Sequence, residues 1–201
     1  MKLGQAAMEA LKAQVTGCLL PGDELVVAAP VALEGTAYIT RQEKEKLTGI
    51  FSAGFLRQCI SLQDDYGLSE EKGKTLWNIA REKGADAFFA MGEGGFLSAL
   101  WKMAEASQVG LTVDLRKVPV RQETIEICEV FDLNPYKLQS QGAFLLGIRG
   151  AEELVQEIRN MGFMAEIIGQ TNSGNDRLLF SNGNARYLER PAKDEIYKIK
   201  R

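Results

Sequence analysis

The sequence predicts an α+β domain in which helices cover a mixed β-sheet. Three observations carry that expectation. A short apolar, β-branched run at 25–31 reads as a buried strand, and the apolar run at 143–148 as another strand. Elsewhere apolar residues recur at helical spacing, as in Phe96, Leu97, Leu100, Trp101 and Ala104. The two kinds of segment are mixed without strict strand–helix–strand repetition, which points to a layered arrangement.

In chain order, residues 1–20 (MKLGQAAMEALKAQ and onward) read as a helical N-terminal extension, and 21–201 as one domain. The strand at 25–31 is bounded by Pro21-Gly22-Asp23 and Glu34-Gly35. Residues 36–47 are predicted as one helix, whose alternating charges at 41–46 form a solvated face. A second helix covers 51–62, with Gly54 against it. Ser69-Glu70-Glu71 supplies a cap and an acidic first turn to a third helix. Its inner stripe is Leu76, Ile79 and Ala80, with Trp77 beside it, and Gly84 ends it. Residues 85–91 form a strand, and the glycine turn that follows opens into the helix of Phe96 to Ala104. Gly110 closes that helix, after which Leu111, Val113 and Leu115 alternate on one strand face. A helix at 121–131, a strand at 143–148, a helix at 151–161 and a strand at 165–168 follow. In the 151–161 helix, Leu154, Val155, Ile158 and Met161 point inward. The segment 177–190 reads as a hairpin around Ser181-Asn182-Gly183-Asn184.

Composition narrows the chemistry. The chain has 201 residues, enough to bury a self-sufficient core. It has no histidine, which excludes Ser-His-Asp and Cys-His catalysis and the histidine-bearing zinc sites. Cys18, Cys59 and Cys128 are far apart and read as reduced thiols serving as small core residues, in keeping with a cytoplasmic protein. No apolar run is long enough to span a membrane, and the net charge of −3 with interleaved signs offers no surface for nucleic acid.

Three runs carry a family likeness: PGDELVVAAPVALEGTAYI, GGFLSALWKMAEASQVGLTVDLRKVPVRQETIEICEVFDLNPYKLQSQGAFLLGI and RPAKDEIYKI. In this order they resemble the C-terminal domain of the aminoimidazole ribonucleotide synthetase superfamily, above all its hydrogenase maturation branch. The resemblance implies ATP-dependent enzymes whose preceding domain holds magnesium and nucleotide on acidic loops. Only twenty residues precede Pro21 here, so the expectation is a stand-alone relative lacking that ATP-binding domain. No cofactor of its own is expected; ATP and magnesium enter only if a partner supplies the nucleotide domain. The family pattern Asp-x-Thr-x-Gly-Gly, aligned on Gly94-Gly95, places Ala90 at the aspartate, Phe89 at a preceding histidine and Gly92 at the threonine. The maturation branch also ends in a cysteine, whereas the last cysteine here is Cys128.

The function implied is a degenerate relative: a non-catalytic binding, assembly or regulatory module, with no self-contained ATPase. The alternatives are one half of a split ATP-dependent synthetase or maturation enzyme, and a small phosphate-ligand binder. A second copy or a separate protein is the expected partner, touching the N-terminal helix and residues 51–62. No catalytic or metal-ligating residue is assigned. The candidate ligand-binding residues are Gly92, Glu93, Gly94 and Gly95, with Ser140 and Gly142 of a family turn. Backbone amides at a helix N-terminus carry about half a positive charge and can hold an anion. The bland reading, favoured because Glu93 repels phosphate, is a structural turn with Glu93 shielding the helix end. Asp23-Glu24 read as turn punctuation and Asp64-Asp65 as a helix end. Trp77 and Trp101 read as core packing, and Lys102, Arg116 and Lys117 as solvated surface.

Overall fold

A run that is apolar at every position needs cover on both faces. Leu25, Val26, Val27 and Ala28 are all fully buried, and they form the central strand of the sheet. The computed structural model describes residues 3–199. Its strands are β1 (Thr16–Gly17), β2 (Glu24–Ala28), β3 (Ala87–Ala90), β4 (Gly110–Asp114), β5 (Phe144–Ile148), β6 (Ala165–Asn172), β7 (Arg177–Ser181) and β8 (Asn184–Tyr187). Its helices are α1 (Gln5–Lys12), α2 (Leu33–Gln42), α3 (Lys44–Thr48), α4 (Ala53–Tyr66), α5 (Glu70–Glu82), α6 (Gly95–Ser107), α7 (Gln122–Val130) and α8 (Glu152–Asn160). The strands join in one sheet of order β1-β3-β5-β2-β6-β4-β7-β8. Every pairing is antiparallel except β4 with β7, so the sheet is mixed and the predicted α+β class holds.

Strand alternation assigns the two faces. On β3, Phe88 packs against Trp77 of α5, while Phe89 on the opposite face lies beneath Lys102 of α6. α5 and α6 therefore cover opposite sides. α2, α3, α4 and α7 pack beyond the sheet around a second core that includes Ile39, Leu47, Cys59, Ile127 and Leu138. The Thr36 and Thr124 hydroxyls pair at 3.0 Å inside it and tie α2 to α7.

Local signals held where they were complete within a few residues. Ser69 and Ser52 cap α5 and α4, each accepting a backbone amide on its hydroxyl. Asn182 and Gly183 both take positive φ, as the tight β7–β8 turn requires. The single helix expected at 36–47 is instead two, α2 and α3, broken at Glu43. The break lets Leu47, fully buried, reach the second core. Met161 is only partly buried, because the helix it was assigned to stops at Asn160. Leu115 lies past the end of β4, in a short 3-10 turn, although it is buried with Leu111 and Val113.

The cysteines divide. Cys59 and Cys128 are buried, and desolvation pushes their thiols up to about 11 and about 12, with Glu123 and Glu195 adding to the effect. Cys18 is exposed, against the expectation of a core residue. Its neighbour Leu19 takes the inward position, which turns Cys18 outward. Under native conditions an aromatic disulfide reagent at mildly alkaline pH should titrate one thiol, Cys18, and reach the other two only in denaturant. Rapid modification of all three in the folded protein would contradict this assignment.

Asp23 punctuates the turn before β2 as read, donating its amide to the Leu20 carbonyl at 3.2 Å, but it does so from inside the protein. It is fully buried, with Oδ2 accepting the Leu20 amide at 2.8 Å and Oδ1 without a partner among the described residues. Burial raises its pKa, and the nearby Asp86 carboxylate raises it further, against the lowering effects of the Leu20 amide and Arg149. A carboxyl with a raised folded pKa binds more protons folded than unfolded, so its contribution to stability falls as pH rises above the ordinary carboxylate range. Asp23→Asn keeps an acceptor for Leu20 and removes that titration. It is expected to flatten stability as pH rises above the ordinary carboxylate range in urea melts, with the variant gaining on wild type. An unchanged slope would show that Asp23 stays ionised at no cost.

Candidate functional site

The predicted turn is built from both sides. β3 ends at the exposed Ala90, and Met91 continues the ladder by donating its amide to the Ala143 carbonyl at 2.9 Å. Ser140 donates its amide to the Gly92 carbonyl at 3.1 Å, and Gly95 donates to the same oxygen at 3.0 Å. Gly94 and Gly95 sit in the left-handed region, at φ +79° and +64°. The chain thus reverses in four residues and enters α6.

The α6 N-terminus carries a carboxylate, but not the expected one. Asp194, one hundred residues further on, accepts the Gly94 amide on Oδ2 at 2.6 Å. Its Oδ1 accepts the Ile196 amide at 2.8 Å, and the residue is only 3% exposed. Glu93 turns aside and accepts the Tyr197 hydroxyl at 2.9 Å. That carboxylate raises the Tyr197 pKa. Glu195 pairs with Lys198 and accepts the Asn134 amide at 3.4 Å, while Ile196 is buried in the second core. Residues 194–198 are therefore fastened over the turn by polar and apolar contacts together. The space left beside Gly94, Leu97 and Ser98 is about 20 Å³, room for roughly one water.

Ser140 is fully buried and its hydroxyl is fully used: it accepts the Ala32 amide at 2.9 Å and donates to the Leu138 carbonyl at 2.8 Å. Gly142, at φ +84°, faces the Gln63 side chain. With Ala90 and Met91 it borders a cleft of about 500 Å³ between β3, β5 and the start of α5. The six predicted residues thus meet in one neighbourhood. Gly92 to Gly95 and Ser140 lie around the covered turn, and Gly142 lies on the cleft beside it.

Other candidates are engaged elsewhere. Arg116 holds Asp114 at 2.7 Å and, with its backbone amide, pulls that carboxyl down to about 2. Asp65 accepts the Ser61 hydroxyl at 2.6 Å in the last turn of α4. Trp101 lies under the Arg190 guanidinium, and Trp77 against Phe88. Among the described residues no three Cys, Asp or Glu side chains converge as a metal cage.

Sequence reasoning missed Asp194, Ile196 and Tyr197. One signal was available: Asp194 stands two residues before the apolar Ile196, the spelling of a capped turn. Its reach to Gly94 had no local signature.

A Methanocaldococcus jannaschii protein whose name assigns it to hydrogenase expression and formation is 28% identical over 111 residues, 53% of this chain and 33% of its own. The carbamoyl dehydratase HypE of Rhodobacter capsulatus is 26% identical over 128 residues, 60% of this chain and 38% of its own. The crystal structure of E. coli HypE superimposes with a TM-score of 0.69 at 20% identity, over 89% of this chain and 53% of that one. The chain thus spans about a third of these curated relatives and about half of the solved protein. The match to the family described as AIR synthase related protein, C-terminal domain, runs over residues 21–179, most of the chain, and the chain belongs to that family.

Proposed function

We propose that this chain is a binding or assembly module of its family, with no ATP-hydrolysing activity of its own. The observation that carries this reading is the Asp194 carboxylate on the Gly94 amide. An anion at this helix end would have to displace a buried internal one and approach Glu93 as well. Ala90, at the position of the family aspartate, supports it: phosphoryl transfer depends on positioned charge and metal, and alanine supplies neither. The purified chain with ATP and magnesium should release no phosphate above background. Calorimetric titration of phosphate, pyrophosphate and ATP should show no saturable heat at micromolar concentrations. Phosphate release that scales with the protein and persists through a second purification would overturn the proposal.

In a second reading, the chain works together with a nucleotide-binding domain held by another protein as an ATP-dependent enzyme; its fold matches 53% of E. coli HypE. A complex isolated from native cells would then contain an acidic-loop nucleotide domain, and mixing the two chains would restore phosphate release. Sedimentation alone and in that mixture separates self-association from a mixed complex.

A further inference from the structure

The cleft beside Gly142 goes beyond the covered turn and beyond the function proposed above. Its wall is a run of packed rings. Trp77 and Phe88 have centroids 5.3 Å apart, and Phe88 stacks on Phe144 at 5.0 Å and 22°. The bare backbone of Gly73 lets the Phe144 ring close against α5, since a Cβ there would stand 2.4 Å from it. At the mouth sits Ala90, exposed and small. The volume of about 500 Å³ falls within the range of small-molecule sites.

The polar groups define the occupant more narrowly. The rim charges Glu70 and Lys74 neutralise each other at 2.7 Å, so the mouth favours neither anion nor cation. Gln63 borders the cleft, and its side-chain oxygen is buried without a hydrogen-bond partner among the described residues. A carboxamide offers one donor and one acceptor side by side, and a ring lactam presents the complementary pair. Aromatic faces prefer a flat partner in offset or tilted stacking.

We propose that this cleft binds a flat, uncharged heteroaromatic molecule. Its ring stacks along Trp77, Phe88 and Phe144, and its lactam-type edge meets the Gln63 amide, which turns toward it.

The test uses the full chain and quinazolin-4-one as probe, with naphthalene as the ring without the edge and cyclohexanecarboxamide as the amide without the ring. Binding is read from tryptophan fluorescence and from calorimetry. Quinazolin-4-one is expected to bind saturably with Kd on the order of 100 µM, as suits a fragment-sized ligand. Ala90→Phe, which fills the mouth from an exposed position, should weaken it about tenfold or more. Gln63→Leu keeps the rings and should abolish the preference for quinazolin-4-one over naphthalene. Circular dichroism and thermal melts establish that both variants are folded. No saturable binding by wild type would overturn the proposal, as would equal binding by folded Ala90→Phe. A preference that survives Gln63→Leu, or tighter binding of cyclohexanecarboxamide, would do the same. The probe carries no phosphate, so failure here leaves the ATP experiments untouched, and their failure leaves this result intact.

Discussion

Gly95→Ala is expected to destabilise the fold by about 3 kcal/mol, lowering the melting temperature by about 6–12 °C. Two causes add. Gly95 sits at φ +64°, where an L side chain is strained. A Cβ there would also stand 2.5 Å from the Leu138 carbonyl oxygen and 2.9 Å from that of Tyr136. Both obstacles are backbone atoms, so no rotamer change relieves them. Gly92→Ala is the internal control. Its φ is not positive and nothing lies within 4 Å of its added Cβ, so it should fall within about 0.5 kcal/mol of wild type. If both variants melt together, the glycine pair is not what fixes the entry to α6.

Arg177→Met should cost a similar amount, about 3 kcal/mol, for an electrostatic reason. Arg177 pairs with Glu105 at 2.6 Å, and both side chains are about six-sevenths buried, at 14% and 15% exposure. It also donates to the carbonyls of Ala104 and Val109, at 3.2 and 3.3 Å, which closes the C-terminal end of α6. Methionine keeps much of the volume and leaves Glu105 buried without its cation. Arg177→Met combined with Glu105→Met should recover part of the loss, since an apolar pair is better tolerated than a stranded charge. Urea unfolding of the two single variants and the double gives the coupling directly. A double variant no better than Arg177→Met alone would place the cost in the lost carbonyl caps.

The elements most legible in the sequence were those whose causes lie within a few residues. Ser69 and its acidic followers spell an N-terminus, and Asn182-Gly183 spells a tight turn, wherever the chain goes next. The mixing of strand and helix signals without strict repetition extended that to the α+β class, which the family likeness also implied. The break at Glu43 was not legible, because its cause is the distant core that receives Leu47. Nor was the order of strands: β2 takes β5 and β6 as neighbours through pairings such as Ala28 with Phe144 and with Ala165. The site followed the same division. The Gly92–Gly95 turn was visible from its glycines, but the carboxylate that covers it was not. Asp194 reads locally as one more charge in a polar tail, and only the fold brings it to Gly94.

That central strand has a consequence for synthesis. β2 leaves the ribosome as an apolar ribbon with two open edges, and both of its partners are translated long after it. Until β6 arrives, β2 is a template for any passing strand. Folding rates fall as contacts become more distant in sequence, and exposed edges invite aggregation while they wait. The nascent chain is therefore expected to depend on chaperones in the interval between β2 and β6. Slowing translation upstream of residue 165 should lower soluble yield, whereas slowing it after residue 187, where β8 ends, should not.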